Sequence, residues 1–342
     1  MKRIICLLAA LSLMCSGCAL SPTQPQSKQY TATFLSLFDT VTTIKGSASS
    51  EEEFTAIAQQ IHDQLEEYHQ LFDIYEAYEG ISNLKTINDN AGGAPVQVDQ
   101  RIIELLLDCK RYYQMTGGKV NVAMGSVLQL WHEARTEAIN DPLSATLPDM
   151  QALQAAALHM DLDAVVIDEA ASTVQITDPM VQLDVGAIAK GWATQKVAEI
   201  APEGMLISVG GNVCATGAKD ERGTAWVIGV QDPDNTSAYL HTLYLTYGSI
   251  VTSGDYQRCF FVGAQRYHHI IDPVTLMPSD YWRSVSVICP DSALADALST
   301  ALFLLPLEEG KALLAQCQAE AMWVDGNGAR YYSSGFEKMI KT

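Results

Sequence analysis

Asp296 and Thr300 are the two residues whose types and spacing suggest metal chemistry. They lie four apart in the stretch DALSTALF, so on a helix they share one face, with Ser299 beside them. The rest of the stretch is apolar, and a buried carboxylate needs a cation or hydrogen-bond donors. A carboxylate, a hydroxyl and a backbone carbonyl form an all-oxygen set, which suits Mg²⁺ rather than zinc. The alternative is that both side chains only form hydrogen bonds within the helix.

A second candidate site follows the predicted strand that ends in QLD. Asp184 stands at the strand end, Gly186 permits a tight turn, and Lys190 falls in the first turns of the next predicted helix. Free backbone N–H groups at a helix N-terminus, together with a lysine, suit a phosphate. Alternatively, Asp184 caps the helix and Lys190 is a surface residue. Gly210 and Gly211 end a further apolar strand and allow either close approach of a ligand or a simple turn.

The heptapeptide YHHIIDP, residues 267–273, supplies a candidate for proton transfer. Side chains alternate along a strand, so His268 and His269 must face opposite sides. One is expected to face solvent and the other the core or a cleft. A histidine with an unperturbed pKa of ~6.5 is suited to general base catalysis, although a strand-end histidine is more often structural.

Composition and charge exclude some partners. The 342-residue chain is 48% hydrophobic, which is enough for a substantial core, and its formal net charge is −19. A field of this sign argues against nucleic acid and against electrostatic binding to an anionic membrane. It remains compatible with a phosphate-bearing ligand held by a metal ion or a helix N-terminus. The five cysteines beyond the leader are widely spaced and predict neither a zinc site nor a disulfide framework.

The N-terminus predicts export and lipid anchoring. Lys2 and Arg3 precede an apolar run that is too short to span a bilayer comfortably. The run ends in CSGC, which resembles a bacterial lipobox with Cys18 as the lipidated residue; an ordinary cleaved signal peptide is the alternative. The predicted division is a signal peptide over 1–17, a lipidated tether over 18–29 and a folded domain over 30–342. The domain is expected outside the cytoplasm, anchored to the bacterial cell membrane.

The hydrophobic periodicity predicts an α+β fold. Helices are expected after a capping box at Ser50 and Glu53, over 99–115, after Gly186, over 293–304 and over 307–317. Strand patterns cluster after residue 160, and several pairs read as hairpins. Because helices and strands come in runs rather than in strict alternation, α+β is favoured over a doubly wound sheet.

Six short motifs occur together along the chain. They are FDT (38–40), DVGAIAKG (184–191), VGGN (209–212), TSGDYQR (252–258), HHIIDPxT (268–275) and ADALSTA (295–301). In this order they resemble the ApbE family, the FAD:protein FMN transferases, over about residues 30–340. The resemblance implies an α+β fold related to the T-fold, in which mixed antiparallel sheets with flanking helices leave a cofactor cleft between two lobes.

The resemblance also implies an activity and a set of site residues. Family members split FAD at its pyrophosphate in a Mg²⁺-dependent reaction, attach FMN through a phosphoester to a Ser or Thr of a target protein, and release AMP. Expected acceptors are subunits of redox complexes of the Rnf or Na⁺-translocating NADH:quinone oxidoreductase (Nqr) type and other FMN-binding-domain proteins. The implied metal ligands are the Ala187 carbonyl, Asp296, Ser299 and Thr300. The implied FAD contacts are Phe38, Tyr75, Lys119, Val120, Asn121, Asp184, Lys190 and Ile271.

Within this frame His269 is the expected general base. Asp272 is expected to orient it or to shape the following turn, and His268, on the opposite face, is expected to be dispensable. Two positions depart from the family pattern. Asn121 stands where many relatives have an aspartate, which keeps hydrogen bonding but loses the charge. Leu276 replaces a usual glycine, and because leucine resists positive φ, the turn is expected to be built differently here.

Two other functions use the same residues. A Mg²⁺-dependent FAD pyrophosphatase would employ water as the nucleophile and give AMP and FMN. A lipoprotein that only binds or delivers flavin has no need of a hydrolytic metal, so the pair Asp296 and Thr300 argues against it. Consumption of FAD on adding Mg²⁺ would exclude storage, and a covalent FMN adduct on a target protein would demonstrate transfer.

Overall fold

An eight-stranded antiparallel sheet forms the centre of the protein. The computed structural model describes residues 28–341. Its strands are β1 (Lys28–Leu35), β2 (Val41–Ala48), β3 (Val96–Gln97), β4 (Val165–Asp168), β5 (Thr173–Ile176), β6 (Leu206–Val209), β7 (Asn212–Ala215), β8 (Trp226–Gln231), β9 (Tyr239–Leu245), β10 (Gly248–Gly254), β11 (Cys259–Val262), β12 (Gln265–His268), β13 (Ser284–Cys289), β14 (Glu320–Val324) and β15 (Arg330–Tyr332). The central sheet has the order β1-β2-β6-β7-β10-β13-β14-β15, and every neighbouring pair is antiparallel.

The described residues also form eight α-helices. They are α1 (Glu51–Phe72), α2 (Leu84–Asp89), α3 (Gln100–Met115), α4 (Gly125–Asn140), α5 (Met150–Ala157), α6 (Ala189–Ile200), α7 (Ser292–Phe303) and α8 (Leu307–Leu314). α1 packs on β2, α6 on β6 and β7, and α7 on β10 and β13. Since β13 is buried along its whole length, its residues are apolar or small on both faces. α6 and α7 cross in contact with each other, and this crossing positions the candidate metal ligands.

Smaller layers complete the fold. The β8–β9 hairpin covers the opposite face of the central sheet and contributes Trp226, Ile228 and Leu243 to a second core. A third core joins α4 and α5 to the β11–β12 hairpin through Trp131, Phe260 and neighbouring apolar residues. The mixture of antiparallel sheets and flanking helices confirms the predicted α+β class.

The predicted helices are present with small changes at their ends. α3, α7 and α8 fall within one to three residues of the predicted ranges. Ser50 caps α1 by accepting the Glu53 N–H, but the Glu53 carboxylate bonds to the backbone N–H and hydroxyl of Ser49 instead of returning to Ser50. The predicted capping box is therefore only half formed, with its second hydrogen bond shifted by one residue. The sequence patterns did not predict β1, β2, α2, α4 or α5.

The leader lies outside the described residues. The expected signal peptide, the lipidation at Cys18 and most of the tether therefore stay predictions. The tether boundary needs a correction, because β1 begins at Lys28 and pairs that residue with Ala48. In the part of the chain that the structure describes, no helix combines the length and the apolar character needed to cross a bilayer.

Candidate functional site

A cavity of about 930 Å³ gathers most of the predicted site residues. Its walls come from α4, the start of α6, the end of α7 and the segments that flank the β11–β12 hairpin. The predicted residues that line it are Phe38, Tyr75, Lys119, Val120, Asn121, Asp184, Ala187, Lys190, His269, Ile271, Asp296 and Thr300. Ser299 and Asp272 do not line it. A second groove of about 590 Å³ beside the C-terminal half of α6 contains none of the predicted residues.

Asp296 is a buried carboxylate at the crossing of α6 and α7. Its Oδ2 accepts the Gly191 N–H at 2.7 Å and the Asn212 side-chain amide at 2.8 Å. Its Oδ1 accepts no hydrogen bond from the described residues, and no cationic side chain of those residues lies within 4.0 Å. Burial raises the pKa of Asp296, and Lys190 and the two N–H donors oppose that shift.

This geometry fits a metal ion. A buried carboxylate that has one free oxygen on a cavity wall, and no ion-pair partner among the described residues, carries a negative charge that a cation would neutralise. Thr300, one turn further along α7, also lines the cavity, as does Ala187. The donor set of carboxylate, hydroxyl and carbonyl oxygens is the kind that Mg²⁺ prefers.

Ser299 is the exception among the predicted ligands. Its side chain is fully buried, and its hydroxyl lies 2.8 Å from the Ser253 hydroxyl and donates to the Asp296 carbonyl at 2.9 Å. The i,i+3 spacing places it one residue around the helix from the cavity-facing line of Asp296 and Thr300. Ser299 thus ties α7 to β10 and lies outside the cavity lining, and its role as a metal ligand stays a prediction.

Asp184 and Lys190 flank the entry to α6 on the cavity wall. The Asp184 Oδ1 accepts the Gly186 N–H at 2.8 Å, so this carboxylate shapes the turn before the helix and does not cap the helix itself. Burial is the main cause that raises the pKa of Asp184. Among the described residues, Lys190 Nζ donates a hydrogen bond only to the Gly186 carbonyl, at 3.3 Å, and remains available to a ligand in the cavity.

The N-terminus of α6 is less free than the sequence suggested. The Ala189 N–H donates to the Val185 carbonyl and the Gly191 N–H donates to Asp296. Of the first-turn N–H groups, only that of Lys190 has no partner among the described residues. The helix start therefore mainly holds a carboxylate of the protein, and a phosphate would find one free N–H there.

The two histidine side chains face opposite sides of the segment, as predicted. His268 is the one that faces the protein interior. It is 7% exposed, its Nε2–H donates to the Ser279 carbonyl at 2.7 Å, and its Nδ1 accepts the Ile270 N–H at 3.1 Å. Its ring also packs edge-on against Phe303. His268 thus fixes the segment that carries His269, and the expectation that it is dispensable stays a prediction.

His269 faces the cavity. Although its ring is open to the cavity, the surrounding protein displaces bulk water, and this desolvation lowers its pKa to about 3, with Arg258, His268 and Lys190 adding to the shift. The imidazole is therefore neutral at pH 7 and can accept a proton. This is the protonation state that a general base requires.

Asp272 binds Lys119 and the turn rather than His269. Its Oδ2 accepts Lys119 Nζ at 2.6 Å, and its Oδ1 accepts the N–H groups of Val274 and Thr275 at 2.7 and 3.1 Å. These hydrogen bonds lower its pKa against the effect of burial. Of the two expected roles, shaping the turn is the one supported, and the carboxylate additionally fixes the Lys119 ammonium at the cavity. Asp272 is a positioning residue, so the prediction that it is catalytic is corrected.

Leu276 adopts the backbone conformation that glycine would have. Its φ is 61°, its N–H donates to the Asp272 carbonyl at 2.8 Å, and its carbonyl accepts the Trp131 indole N–H at 2.9 Å. The expectation that this turn is built differently is therefore wrong. The strain of positive φ is offset because the Leu276 side chain is buried in the third core.

Aromatic residues also line the cavity. Phe38 has φ 52° and packs edge-on against His69, while Tyr75 stacks obliquely on His132 with ring centres 5.5 Å apart. Asn121 uses both ends of its amide locally: Oδ1 accepts the Ala123 N–H and Nδ2 donates to the Met160 carbonyl. It therefore shapes the start of α4, and its missing charge leaves no unpaired group.

Sequence reasoning missed several cavity residues. Asn212 lies in the VGGN motif and Gly191 in the DVGAIAKG motif, but the sequence alone predicts no role for either residue. His132 and Arg135 come from α4, which was not predicted, and Arg258 belongs to the TSGDYQR motif. Once α4 is known to be a helix, the three-residue spacing of His132 and Arg135 places them on one face.

A buried carboxylate and several cationic side chains around one large cavity are features that suit a phosphorylated ligand. Comparisons define the family. The model of the ApbE family matches residues 38–323. The chain is 37% identical to the FAD:protein FMN transferase of Treponema pallidum, over 75% of each chain, and 31% identical to that of Klebsiella pneumoniae, over 80% of this chain and 83% of the relative. The crystal structure of the ApbE protein from Thermotoga maritima superposes with a TM-score of 0.80 at 29% identity, covering 92% of this chain and all of that one. This chain belongs to the ApbE family.

Proposed function

We propose that this protein transfers the FMN moiety of FAD to a Ser or Thr hydroxyl of target proteins and releases AMP. The observation that carries the proposal is the position of Asp296, whose free oxygen opens on a cavity that is also lined by Tyr75 and Lys190. A carboxylate suited to a metal ion and a cavity large enough for a dinucleotide thus share one site. Relatives that carry the name FAD:protein FMN transferase, at 37% and 31% identity, support the same activity.

Asp296, Thr300 and the Ala187 carbonyl are the residues that would hold Mg²⁺. When bound there, the ion would neutralise the pyrophosphate and stabilise the charge that develops on the departing AMP. Asn212 and the Gly191 N–H hold Oδ2 and thereby leave Oδ1 for the metal. Ser299 supports α7 from behind.

The chain's own groups account for the remaining chemistry. The acceptor hydroxyl oxygen forms a bond to the phosphorus of the FMN half, and the bond from that phosphorus to the bridging oxygen breaks, leaving the electron pair on AMP. His269, neutral at pH 7, takes the hydroxyl proton. Lys190 and Lys119 attract phosphate oxygens, and the cavity walls hold the hydroxyl near the phosphorus, which removes much of the entropic cost of the encounter.

Co-expression with a candidate acceptor protein tests this function. We expect flavin fluorescence to stay with the acceptor band in a denaturing gel, and mass spectrometry to find FMN on one Ser or Thr. The signal should disappear with Asp296→Asn. FAD that is cleaved to FMN and AMP without an adduct would identify a pyrophosphatase, and FAD that is bound but not consumed on adding Mg²⁺ would identify a flavin-binding lipoprotein.

We also propose that the protein is lipid-anchored at the membrane and that its acceptors are found there. The CSGC sequence at the end of the apolar leader supports lipidation of Cys18, which would tether the domain outside the cytoplasm at the bacterial membrane. Acceptors would then be membrane-associated redox subunits of the Rnf or Nqr type, or other FMN-binding-domain proteins. Labelling cells with a palmitate analogue tests the anchor: the wild type should incorporate it and Cys18→Ala should not. Labelling that persists in Cys18→Ala would refute this site.

A further inference from the structure

Two arginines that line the cavity have no carboxylate partner among the described residues, whereas most of the described arginines have one. Arginines with a carboxylate within 4.0 Å are Arg101, Arg111, Arg222, Arg266 and Arg283. Among the described residues, Arg135, Arg258 and Arg330 have none. Arg330 lies on the edge strand β15, whereas Arg135 and Arg258 both line the cavity. In a chain with a net charge of −19, two unpaired guanidinium groups facing one cavity indicate an anionic ligand.

The two groups reach the cavity from different elements. Arg135 extends from α4, and its NH2 lies 3.0 Å from His132 Nδ1, so the arginine donates and the imidazole accepts. Arg258 comes from the connection between β10 and β11 and makes no side-chain hydrogen bond or ion pair with the described residues. Burial and the charge of Arg258 both lower the pKa of Arg135, which shows that the two charges act on one another.

The same cations line the cavity together with the candidate base. Arg258, Lys190, Arg135 and His269 all line it, and the charge of each cation contributes to the lowered pKa of His269. Bringing like charges together costs free energy unless a ligand of opposite charge joins them. Guanidinium groups are planar donors that bind phosphate oxygens in pairs, which a lysine cannot do.

We propose that Arg135 and Arg258 form a phosphate subsite in the cavity, separate from the metal position at Asp296. The proposal rests on the proposed function, which supplies a pyrophosphate-bearing substrate. In this proposal α4 has a binding role through Arg135, and the two arginines donate hydrogen bonds to a phosphate in addition to Lys190. Either the phosphate of the FMN half or that of the AMP half can supply the ligand chemistry.

Ligand pairs that differ by one phosphate test the subsite directly. The full-length protein in detergent, with EDTA to remove divalent ions, is titrated calorimetrically with FMN and riboflavin, and with AMP and adenosine. Arg135→Gln and Arg258→Gln are compared with the wild type and with the matched control Arg330→Gln. Losing one charge-assisted hydrogen bond should weaken phosphate binding about tenfold. Binding of the partner that lacks the phosphate should change less than about twofold.

The pattern of losses decides the assignment. If the arginine variants bind only FMN more weakly, the subsite holds the phosphate of the FMN half. If they bind only AMP more weakly, it holds the phosphate of the AMP half. Equal effects on both members of each pair, no binding of FMN or AMP to the wild type, or a similar loss with Arg330→Gln would overturn the proposal. The proposal would also be overturned if the variants kept the wild-type affinity ratios of FMN to riboflavin and of AMP to adenosine and raised only the KM for the acceptor protein. Covalent FMN transfer is measured separately. If the arginines favour the phosphorylated ligands but no FMN is transferred, the subsite proposal stands and only the proposed function fails.

Discussion

Replacing Asp296 with asparagine separates the cost of the buried charge from the benefit of the metal. Asparagine can offer its Oδ1 to the same two donors, the Gly191 N–H and the Asn212 amide, so the crossing of α6 and α7 should persist. Its amide nitrogen then replaces the free oxygen on the cavity wall. We expect Asp296→Asn to make the metal-free protein more stable and to abolish its response to Mg²⁺.

The magnitudes follow from the burial of the carboxylate. An unsatisfied buried polar group costs about 1–3 kcal/mol, and a charge costs more, so the metal-free variant should gain at least about 1 kcal/mol at pH 7. Mg²⁺ at about 100 times its Kd would stabilise the wild type by about 2.7 kcal/mol. With an unfolding entropy of about 2 cal/mol/K per residue, a chain of this size should show a Tm increase of about 4 °C.

The pH dependence has a defined sign. Burial raises the pKa of Asp296 above its unfolded value, so its contribution to stability is present at low pH and is lost as the pH rises through the folded pKa. The gap between the metal-free wild type and Asp296→Asn should therefore widen from pH 4 towards pH 7. The Mg²⁺-induced rise in the wild-type Tm should grow over the same window.

Differential scanning fluorimetry with a Mg²⁺ series at pH 5 and pH 7 measures all three effects. Asp291→Asn is the matched control, because Asp291 caps the same helix through the Leu294 N–H and asparagine caps equally well. The control should keep the Mg²⁺ response. A full Mg²⁺-dependent rise in the Tm of Asp296→Asn would refute the metal assignment, and a destabilised metal-free variant would refute the argument that the charge is uncompensated.

Three further outcomes are expected. Because the pKa of His269 is lowered to about 3, kcat/KM should show no acid limb near pH 6.5; such a limb, if absent in His269→Ala, would contradict the lowered pKa. Asp272→Asn should keep the turn but release Lys119, raising the KM for FAD several-fold while kcat stays within about threefold; a collapse of kcat alone would restore a catalytic role for Asp272. Leu276→Gly should relieve about 1 kcal/mol of backbone strain but lose about 2–3 kcal/mol of side-chain burial, so urea unfolding should report a net loss of about 1–2 kcal/mol; a more stable variant would show that the strain outweighs the packing.

Elements with local signals were predictable from the sequence. α3 begins after Asp99, which caps it, and α7 begins after Asp291, which does the same. α4 was missed because its cap position, Met124, makes no side-chain hydrogen bond and its apolar residues are interrupted by polar ones. Its stability comes from packing against the β11–β12 hairpin, which is a long-range contact that no local pattern contains.

The candidate site also contains residues that local sequence patterns predict and contacts that they do not. Asp296 and Thr300 were found because a helix places i and i+4 together, and the motif order brought in Asp184 and Lys190. The partners of the side chains were not predictable in this way. Strand alternation could place His268 and His269 on opposite sides, but only the tertiary structure shows that the second side is filled by Ser279 and the Phe303 ring instead of by solvent.

The crossing of α6 and α7 explains how the charges of the cavity are shared. A Cβ on Gly191 would lie 2.4 Å from the Asp296 Cβ and 2.5 Å from the Ser292 carbonyl oxygen, so only glycine lets the helices approach this closely. That approach allows a first-turn N–H of α6 to bind Asp296, where the positive end of the helix favours the carboxylate. The helix start therefore donates to Asp296 and offers a phosphate one free N–H group. Under the proposed function, a metal ion and cationic side chains would balance the charge of the pyrophosphate. The cationic side chains of the cavity that have no carboxylate partner among the described residues are Lys190, Arg135 and Arg258.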